Sequence, residues 1–274
     1  MEFNLKKSEQ LAKKIRLNAV KMTNAGKSSH IGSVLSMADI MAVLYGSVLN
    51  INPDDPEWKE RDRFILSKGH AGAGVYASLA ELGFFPKAKL ETHYQDGSDL
   101  SGHVSHKGIP GVELSTGSLG HGLPVACGIA LALKIDSKDS RVFVLLGDGE
   151  CNEGSNWESF LFAPHHKLGN LVVIVDRNRL QSIYTTEKTL KLEPLGDKLK
   201  MFGWDVLEVD GHNHNELYGS FLSQKSSSDK PLFVIANTTK GKGVSFMEDK
   251  VLWHYRSPQD NEFDDAITEL NDDA

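Results

Sequence analysis

Two apolar runs, Val142-Phe143-Val144-Leu145-Leu146 and Leu171-Val172-Val173-Ile174-Val175, frame the chain. Each is short, unbroken and rich in β-branched residues, which is how a strand reads when both faces of its sheet are covered. Trp204 to Val209 and Pro231 to Ala236 read as two further strands, with Asn213 to Ser226 as the helix between them. Elsewhere apolar positions recur at helical spacing. From Lys6 to Asn24 they fall at Leu11, Ile15, Leu17, Ala19, Val20 and Met22, with basic residues interleaved. Met37 to Val48 and Ala71 to Leu82 predict two more helices, and Pro124 to Ile135, small and apolar, a tightly packed buried one. Ser155 and Glu158 have the spacing of a capping box, predicting a helix that runs to Leu168 and stops at Gly169, kinked or shortened by Pro164.

Strands alternating with helices predict an α/β chain, a three-layer α/β/α sandwich with a mostly parallel sheet, in a single domain over residues 1–274. Periodicity is lost between Leu90 and Gly122, where Gly, His, Ser and Asp accumulate; a loop that long inside a compact domain points to function. The tail from about residue 262 holds Asp264, Asp265, Glu269, Asp272 and Asp273 and is expected to be a solvated end with a short frayed helix.

Composition narrows the function. At 40% hydrophobic and 24% charged the chain is ordinary globular protein, and a net charge of −7 without a basic block argues against nucleic acid as an obligatory partner. The start, Met1 to Lys7, lacks the apolar core of a signal peptide, and no apolar stretch is expected to span a membrane. Cys127 and Cys151 are too few for a disulfide framework, which fits a cytoplasmic protein.

The chemistry lies at the ends of the two central runs. Asp148 sits in Gly147-Asp148-Gly149, and Asn178 follows thirty positions later in Asp176-Arg177-Asn178. One helix-length segment separates the runs, so a right-handed crossover carries both strand ends to the same edge of the sheet, where open α/β sheets bind ligands. A carboxylate and an amide oxygen then face one point, a donor pair suited to Mg²⁺ or Ca²⁺ with other positions left to phosphate oxygens and water. Gly147 permits a sharp turn off the strand, and Gly149 lets backbone N–H groups approach a diphosphate with no Cβ between them.

This arrangement resembles the thiamine diphosphate fingerprint, most closely that of transketolases. Ser28-Ser29-His30-Ile31-Gly32, Arg63 to Ala71, Gly102-His103, Gly111 to Gly122, and Thr239 to Gly243 followed by Trp253-His254 are each similar to a family segment, so the resemblance spans nearly the whole chain. It implies a thiamine diphosphate-binding fold of the diphosphate-binding type. His70 and His254 would hold the diphosphate, and Gly117, Ser118, Leu119, Asp148, Gly149 and Asn178 would bind the cofactor with them. The main-chain carbonyl of Leu180 would join Asp148 and Asn178 on the metal. His30 and His103 would meet the hydroxyls and carbonyl oxygen of a ketose, with His254 also facing substrate. Glu153 would stand at a subunit interface linked to cofactor activation. Imidazole suits such work because it donates to oxygen and exchanges protons near neutrality. His93, His106, His165, His166, His212 and His214 fall outside these segments and read as structural or surface residues. Departures from the family are Ser29 for glycine, Ile31 for proline, His121 for a common glutamine, and Tyr255-Arg256 after His254.

The implied reaction moves a two-carbon ketol unit from a ketose to an aldose. It needs a pyrimidine-binding domain carrying an activating glutamate, and the residues after Met247 are too few to build one. The expectation is the N-terminal subunit of a split transketolase, active with a separate C-terminal subunit in an α₂β₂ assembly on sugars or sugar phosphates. One rival is a split enzyme of surface-sugar or secondary metabolism acting on a modified or nucleotide-linked sugar. Another is the diphosphate-binding subunit of a 2-oxo acid dehydrogenase, which leaves the segments around His30, His70 and His103 unexplained. A third is a non-catalytic partner.

Overall fold

The computed structural model describes residues 3–224 and 228–272. Five parallel strands form one sheet: β1 (Arg63–Leu66), β2 (Val142–Gly147), β3 (Leu171–Arg177), β4 (Asp205–Asp210) and β5 (Leu232–Asn237), in the order β1-β2-β3-β5-β4. Composition decides the order. β2 and β3, whose apolar runs are buried along their length, lie inside, whereas β4, with Asp205, Glu208 and Asp210 exposed, takes an edge.

Side chains alternate across the sheet. Phe143, Leu145, Val172, Ile174 and Val234 pack under α1 (Leu5–Gly26), α2 (Ile31–Val43), α3 (Gly72–Glu81), α8 (His214–Ser223) and α9 (Asn261–Asp272). Val144, Leu146, Val173, Val175 and Phe233 pack under α4 (Gly122–Ile135), α5 (Gly154–His165) and α7 (Leu195–Phe202). The expected α/β/α layers result. A single turn, α6 (Thr186–Thr189), lies in the loop after β3.

Several local expectations change. β1 and α7 are not visible in the apolar pattern: β1 has only three apolar residues between Arg63 and Ser67, and α7 buries only Leu195 and Leu199. α2 starts at Ile31, ahead of Met37, and continues as a π-helical turn over Leu44–Val48. That continuous segment is long and apolar enough to cross a membrane, contrary to expectation, yet 89% of it is buried inside the protein. The capping box does not form. Glu153 is the N-cap of α5, and Ser155 Oγ donates instead to Gly120 O at 2.6 Å. The helix ends at His165 rather than Leu168, and Lys167 takes the left-handed turn at φ 52°, so Pro164 shortens the helix. α8 begins where expected, with the Asn213 side chain accepting from Asn215 N and Glu216 N, and ends at Ser223; Ser226 lies outside the described residues.

α4 is buried on one side only. Val125, Gly128, Ala132 and Ile135 face outward, because no described element packs on them. The acidic tail is likewise better ordered than expected. α9 buries Ala266 and Leu270, Glu269 accepts from Ser245 N and Oγ at 2.5 and 2.9 Å, and Lys13 Nζ donates to Asn271 O at 2.8 Å. Two apolar residues one turn apart are enough to seat it on α1. Cys127 and Cys151 are buried free thiols.

Candidate active site

The register Gly147↔Asp176 sets the carboxyl ends of β2 and β3 side by side. Asp148 leaves β2 and is buried. Its Oδ1 accepts from Gly149 N at 2.7 Å, and its Oδ2 accepts from Arg179 N at 2.5 Å and Arg177 Nη1 at 3.0 Å. Asn178 leaves β3 with its Nδ2 donating to Asp176 Oδ2 at 3.2 Å and Ser36 Oγ at 3.4 Å. Those bonds turn Oδ1 the other way, where it accepts from Leu180 N at 3.1 Å. Arg179 holds a left-handed conformation, φ 65°, which turns the chain so that its N–H reaches Asp148. Gly149 lies under Gln181, whose Cγ would stand 2.7 Å from a Cβ there. A Cβ at this position would push the Gln181 side chain off the cleft floor.

A cleft of about 350 Å³ opens above these ends. His30, His70, His103 and His254 line it. The His30 ring centroid lies 5.0 Å from His70, 5.7 Å from His103 and 5.0 Å from His254. Each ring comes from a different element. His30 precedes α2 in a left-handed conformation, φ 74°, and its N–H donates to His254 O at 3.0 Å. His70 lies in the turn between β1 and α3. The His103 carbonyl accepts from Tyr76 Oη at 3.0 Å, and His254 ends a short 3₁₀ turn. Gly117, Leu119, Gly149, Glu153 and Leu180 complete the walls. Ser118 is exposed and is not on the cleft wall, because the loop presents only its two neighbours inward. Glu153 is exposed at the rim.

Sequence reasoning passed over the groups that set the potential. Lys68 and Lys240 are each 1% exposed. Lys68 Nζ donates to Ser33 O at 2.9 Å and forms a short ion pair with Asp176. Lys240 Nζ reaches His254 Nδ1 at 2.8 Å and Leu180 O at 3.4 Å. Glu150 braces the walls, accepting from Gly120 N at 2.9 Å, Gly147 N at 3.1 Å and Ser67 Oγ. Lys68 and Lys240 belong to the family-like segments, and their signal was a lysine set beside a glycine where a chain leaves the sheet.

Burial and neighbouring cations keep His30, His70 and His254 uncharged. Burial, then His103 and Lys240, lowers His30 from the usual 6.5 to about 4. Burial, then Lys240, His30 and Lys68, lowers His254 to about 3. His70 is held well below its usual range by burial and Lys68. Burial and the Lys68 charge lower Lys240 to about 8. Burial raises Asp148 to about 6 against the pull of Arg177. Burial would raise Asp176 too, but Lys68 with hydrogen bonds from Lys68, Ser36 and Thr238 outweighs it and leaves the carboxyl low. Neutral imidazoles beside two ammonium groups form a donor-rich cleft suited to a polyanion.

Comparison with known proteins bears on this geometry. The domain family described as "Transketolase, thiamine diphosphate binding domain" matches residues 7–270. The chain is 44% identical to one subunit of the apulose-4-phosphate transketolase of Actinobacillus succinogenes, over 97% of this chain and 96% of that one. It is 36% identical to a 6-deoxy-6-sulfo-D-fructose transketolase subunit of Clostridium sp. strain MSTE9, over 98% and 97%. A crystal structure of transketolase from Campylobacter jejuni superposes with a TM-score of 0.92 at 30% identity, covering 98% of this chain and 43% of the other. The chain thus spans less than half of that transketolase.

Proposed function

We propose the following function for this chain, which belongs to the transketolase thiamine diphosphate binding domain family: it is the diphosphate-binding subunit of a two-subunit transketolase. The observation that carries the reading is the convergence of Asp148, Asn178 and the Leu180 carbonyl with four histidines and two buried lysines in one cleft. The reaction moves a two-carbon ketol unit between sugars, and thiamine diphosphate supplies the carbon–carbon bond chemistry when bound.

The residues fit the cofactor and a divalent ion. Asn178 is locked with its amide nitrogen toward Asp176, leaving its oxygen with Asp148 on the side of the β-ends. Gln181 Nε2 is buried at the cleft wall without a hydrogen-bond partner among the described residues, a donor awaiting an acceptor oxygen. Asp148, Asn178 and the Leu180 carbonyl would hold Mg²⁺ or Ca²⁺. His70, Lys240 and His254 would grip the diphosphate, and Gly117 and Leu119 would border the cofactor. His30 and His103 would orient substrate hydroxyls through their ring nitrogens and could relay a proton there.

The partner would be a pyrimidine-binding subunit in an α₂β₂ assembly within the cytoplasm. What supports it is the open apolar face of α4 beside the cleft, where Val125, Ile135 and the uncovered Gly128, with Leu161 and Phe162 of α5, are exposed. Small and apolar residues exposed together favour close docking of another chain. Glu153 lies at the cleft rim near this face. The names of the two relatives support a sugar or sugar-phosphate substrate.

The test is ketol transfer with thiamine diphosphate and Mg²⁺, with the chain alone and with its cognate partner subunit. Turnover should require both chains, and robust turnover by this chain alone overturns the split. In parallel, the cofactor should raise the thermal midpoint of the isolated chain only when a divalent ion is present.

A further inference from the structure

The basic residues interleaved along α1 are not used by the catalytic cleft. They border a second cavity of about 540 Å³, formed by α1, Asp39 of α2, His212 and His214 at the start of α8, Lys242 and Gly243 after β5, and Leu270 of α9. At its wall Arg16 is only 9% exposed. Its Nη1 and Nη2 donate to Asp39 at 3.0 and 2.6 Å, and Nη2 also reaches Leu35 O at 3.3 Å. Its Nε is buried without a hydrogen-bond partner among the described residues. A buried charged donor left unsatisfied is costly unless something occupies the space beside it.

Asp39 does not neutralise this site for a ligand, because its oxygens are already taken. Beyond Arg16 it accepts from His212 Nδ1 at 2.7 Å and His214 Nε2 at 3.1 Å. His212 is itself fixed, its Nε2 accepting from Thr239 N at 2.8 Å, while His214 Nδ1 lies 2.7 Å from Ser8 Oγ. The network thus reads as a frame that holds Arg16 in place. Around it stand Lys6, Lys13 and Lys242, with Glu9 as the remaining acid on the wall. Lys13 donates to Asn271 O at 2.8 Å, and Lys242 lies 3.5 Å from Glu248. Counting Asp39 as spent on Arg16, three ammonium groups stand against Glu9 on the wall and Glu248 beside Lys242, which leaves an excess of positive charge.

We propose that this cavity binds a small organic phosphate, held by Lys6, Lys13 and Lys242 and by Arg16 as the buried anchor. Ammonium groups serve phosphate as compact charges and a framed guanidinium fixes its position. The space exceeds what a bare phosphate fills, so the ligand should carry an organic body. The cavity shares α2 and the Thr239–Lys242 stretch with the catalytic cleft, yet none of its lining residues lines that cleft. Binding here would not depend on the proposed catalysis.

The test uses the full chain with thiamine diphosphate and Mg²⁺ at saturation, so that the cleft is occupied. Glycerol 3-phosphate, inorganic phosphate and glycerol are titrated while the imidazole resonances of His212 and His214 are followed by NMR, alongside calorimetry. Glycerol 3-phosphate should shift both resonances and bind more tightly than phosphate; glycerol should do neither. Equal binding of the two phosphates overturns the organic body and leaves a site for free phosphate alone. The Lys13→Glu/Lys242→Glu variant should weaken binding by about tenfold or more and leave cofactor affinity unchanged. If that variant folds poorly, Lys6→Glu, at an exposed position, should still weaken binding. Absence of any shift at His212 and His214, or binding indifferent to these charge reversals, overturns the proposal.

Discussion

Two groups of histidines occupy the same carboxyl edge of the sheet, and they are built on opposite logic. Around Asp39, His212 and His214 each give a ring nitrogen to one carboxylate, and Arg16 closes the network. In the cleft, His30, His70, His103 and His254 face one another with no carboxylate among the described residues bound to any of their rings, and lysines stand nearby. Folding explains the two imidazoles of the first group, since their ring nitrogens and the Asp39 oxygens satisfy each other and only Arg16 Nε is left over. It does not explain the second, where Lys68 and Lys240, although bonded to Asp176 and to His254, stand among imidazoles with hydrogen-bonding capacity left for an anion. Unspent hydrogen-bonding capacity therefore marks the site better than the number of histidines does.

The sharpest way to break this contrast is Lys68→Met. Removing one partner of a buried ion pair leaves Asp176 uncompensated and should cost about 3–5 kcal/mol. Cofactor affinity should fall with it. The double variant Lys68→Met/Asp176→Leu removes both charges and should recover much of the stability in denaturant unfolding. It should not recover cofactor binding, because the cleft loses an ammonium and Asn178 loses the acceptor that orients it. Recovery of binding by the double variant would mean that Lys68 serves the fold alone.

Asp39→Asn should act in the opposite sense. Removing the charge shared by four hydrogen-bonded nitrogens of Arg16, His212 and His214 leaves Arg16 buried and uncompensated and should cost about 3 kcal/mol in stability. Thiamine diphosphate affinity, measured at a temperature where the variant stays folded, should remain within error of the parent. A loss of cofactor affinity comparable to that of Lys68→Met would erase the distinction between the two groups.

Acid should give a gentler effect, through imidazoles that burial keeps uncharged. Burial lowers His93, which hydrogen-bonds Ser28 Oγ at 3.2 Å, to about 4, as it does His30. For each, the unfolded chain binds more protons between about 6.5 and about 4, so stability is full above that window and is lost as pH falls through it. Asp148, raised to about 6, takes a proton in the folded state and offsets part of the loss. His93→Asn should be modestly destabilised at pH 7 and should show a shallower loss between those limits. An unchanged slope in pH-dependent unfolding would mean His93 titrates equally in both states.

The layers were legible because β2 and β3 are pure apolar runs, and Asp148 and Asn178 were legible because they end those runs. β1 was hidden because its apolar stretch is only three residues; the helix α9 was expected, but its docking was not, because its acidic face conceals Ala266 and Leu270. The capping box misled because Ser155 Oγ is claimed by Gly120, sequence-distant by 35 positions. Lys68, Lys240 and Glu150 went unread for the same reason: a buried charge declares itself through its partners, and those are assembled only by the fold.

The smallest and most specific effect belongs to Gln181. Its backbone N–H bonds Tyr184 O at 2.8 Å, so the loop keeps its anchor whatever the side chain is. The side-chain Nε2 is buried and unpartnered over Gly149. Replacing such a donor by an apolar group of similar shape removes an unmet desolvation cost, so Gln181→Leu should leave the cofactor-free chain as stable or slightly more so. Once cofactor is bound, the same donor should be worth about 1 kcal/mol, and its loss should weaken thiamine diphosphate by about fivefold. The paired measurement is thermal unfolding without cofactor and calorimetry with it. A variant that is destabilised when empty yet binds normally would place Gln181 among the groups spent on folding, on the Asp39 side of the contrast.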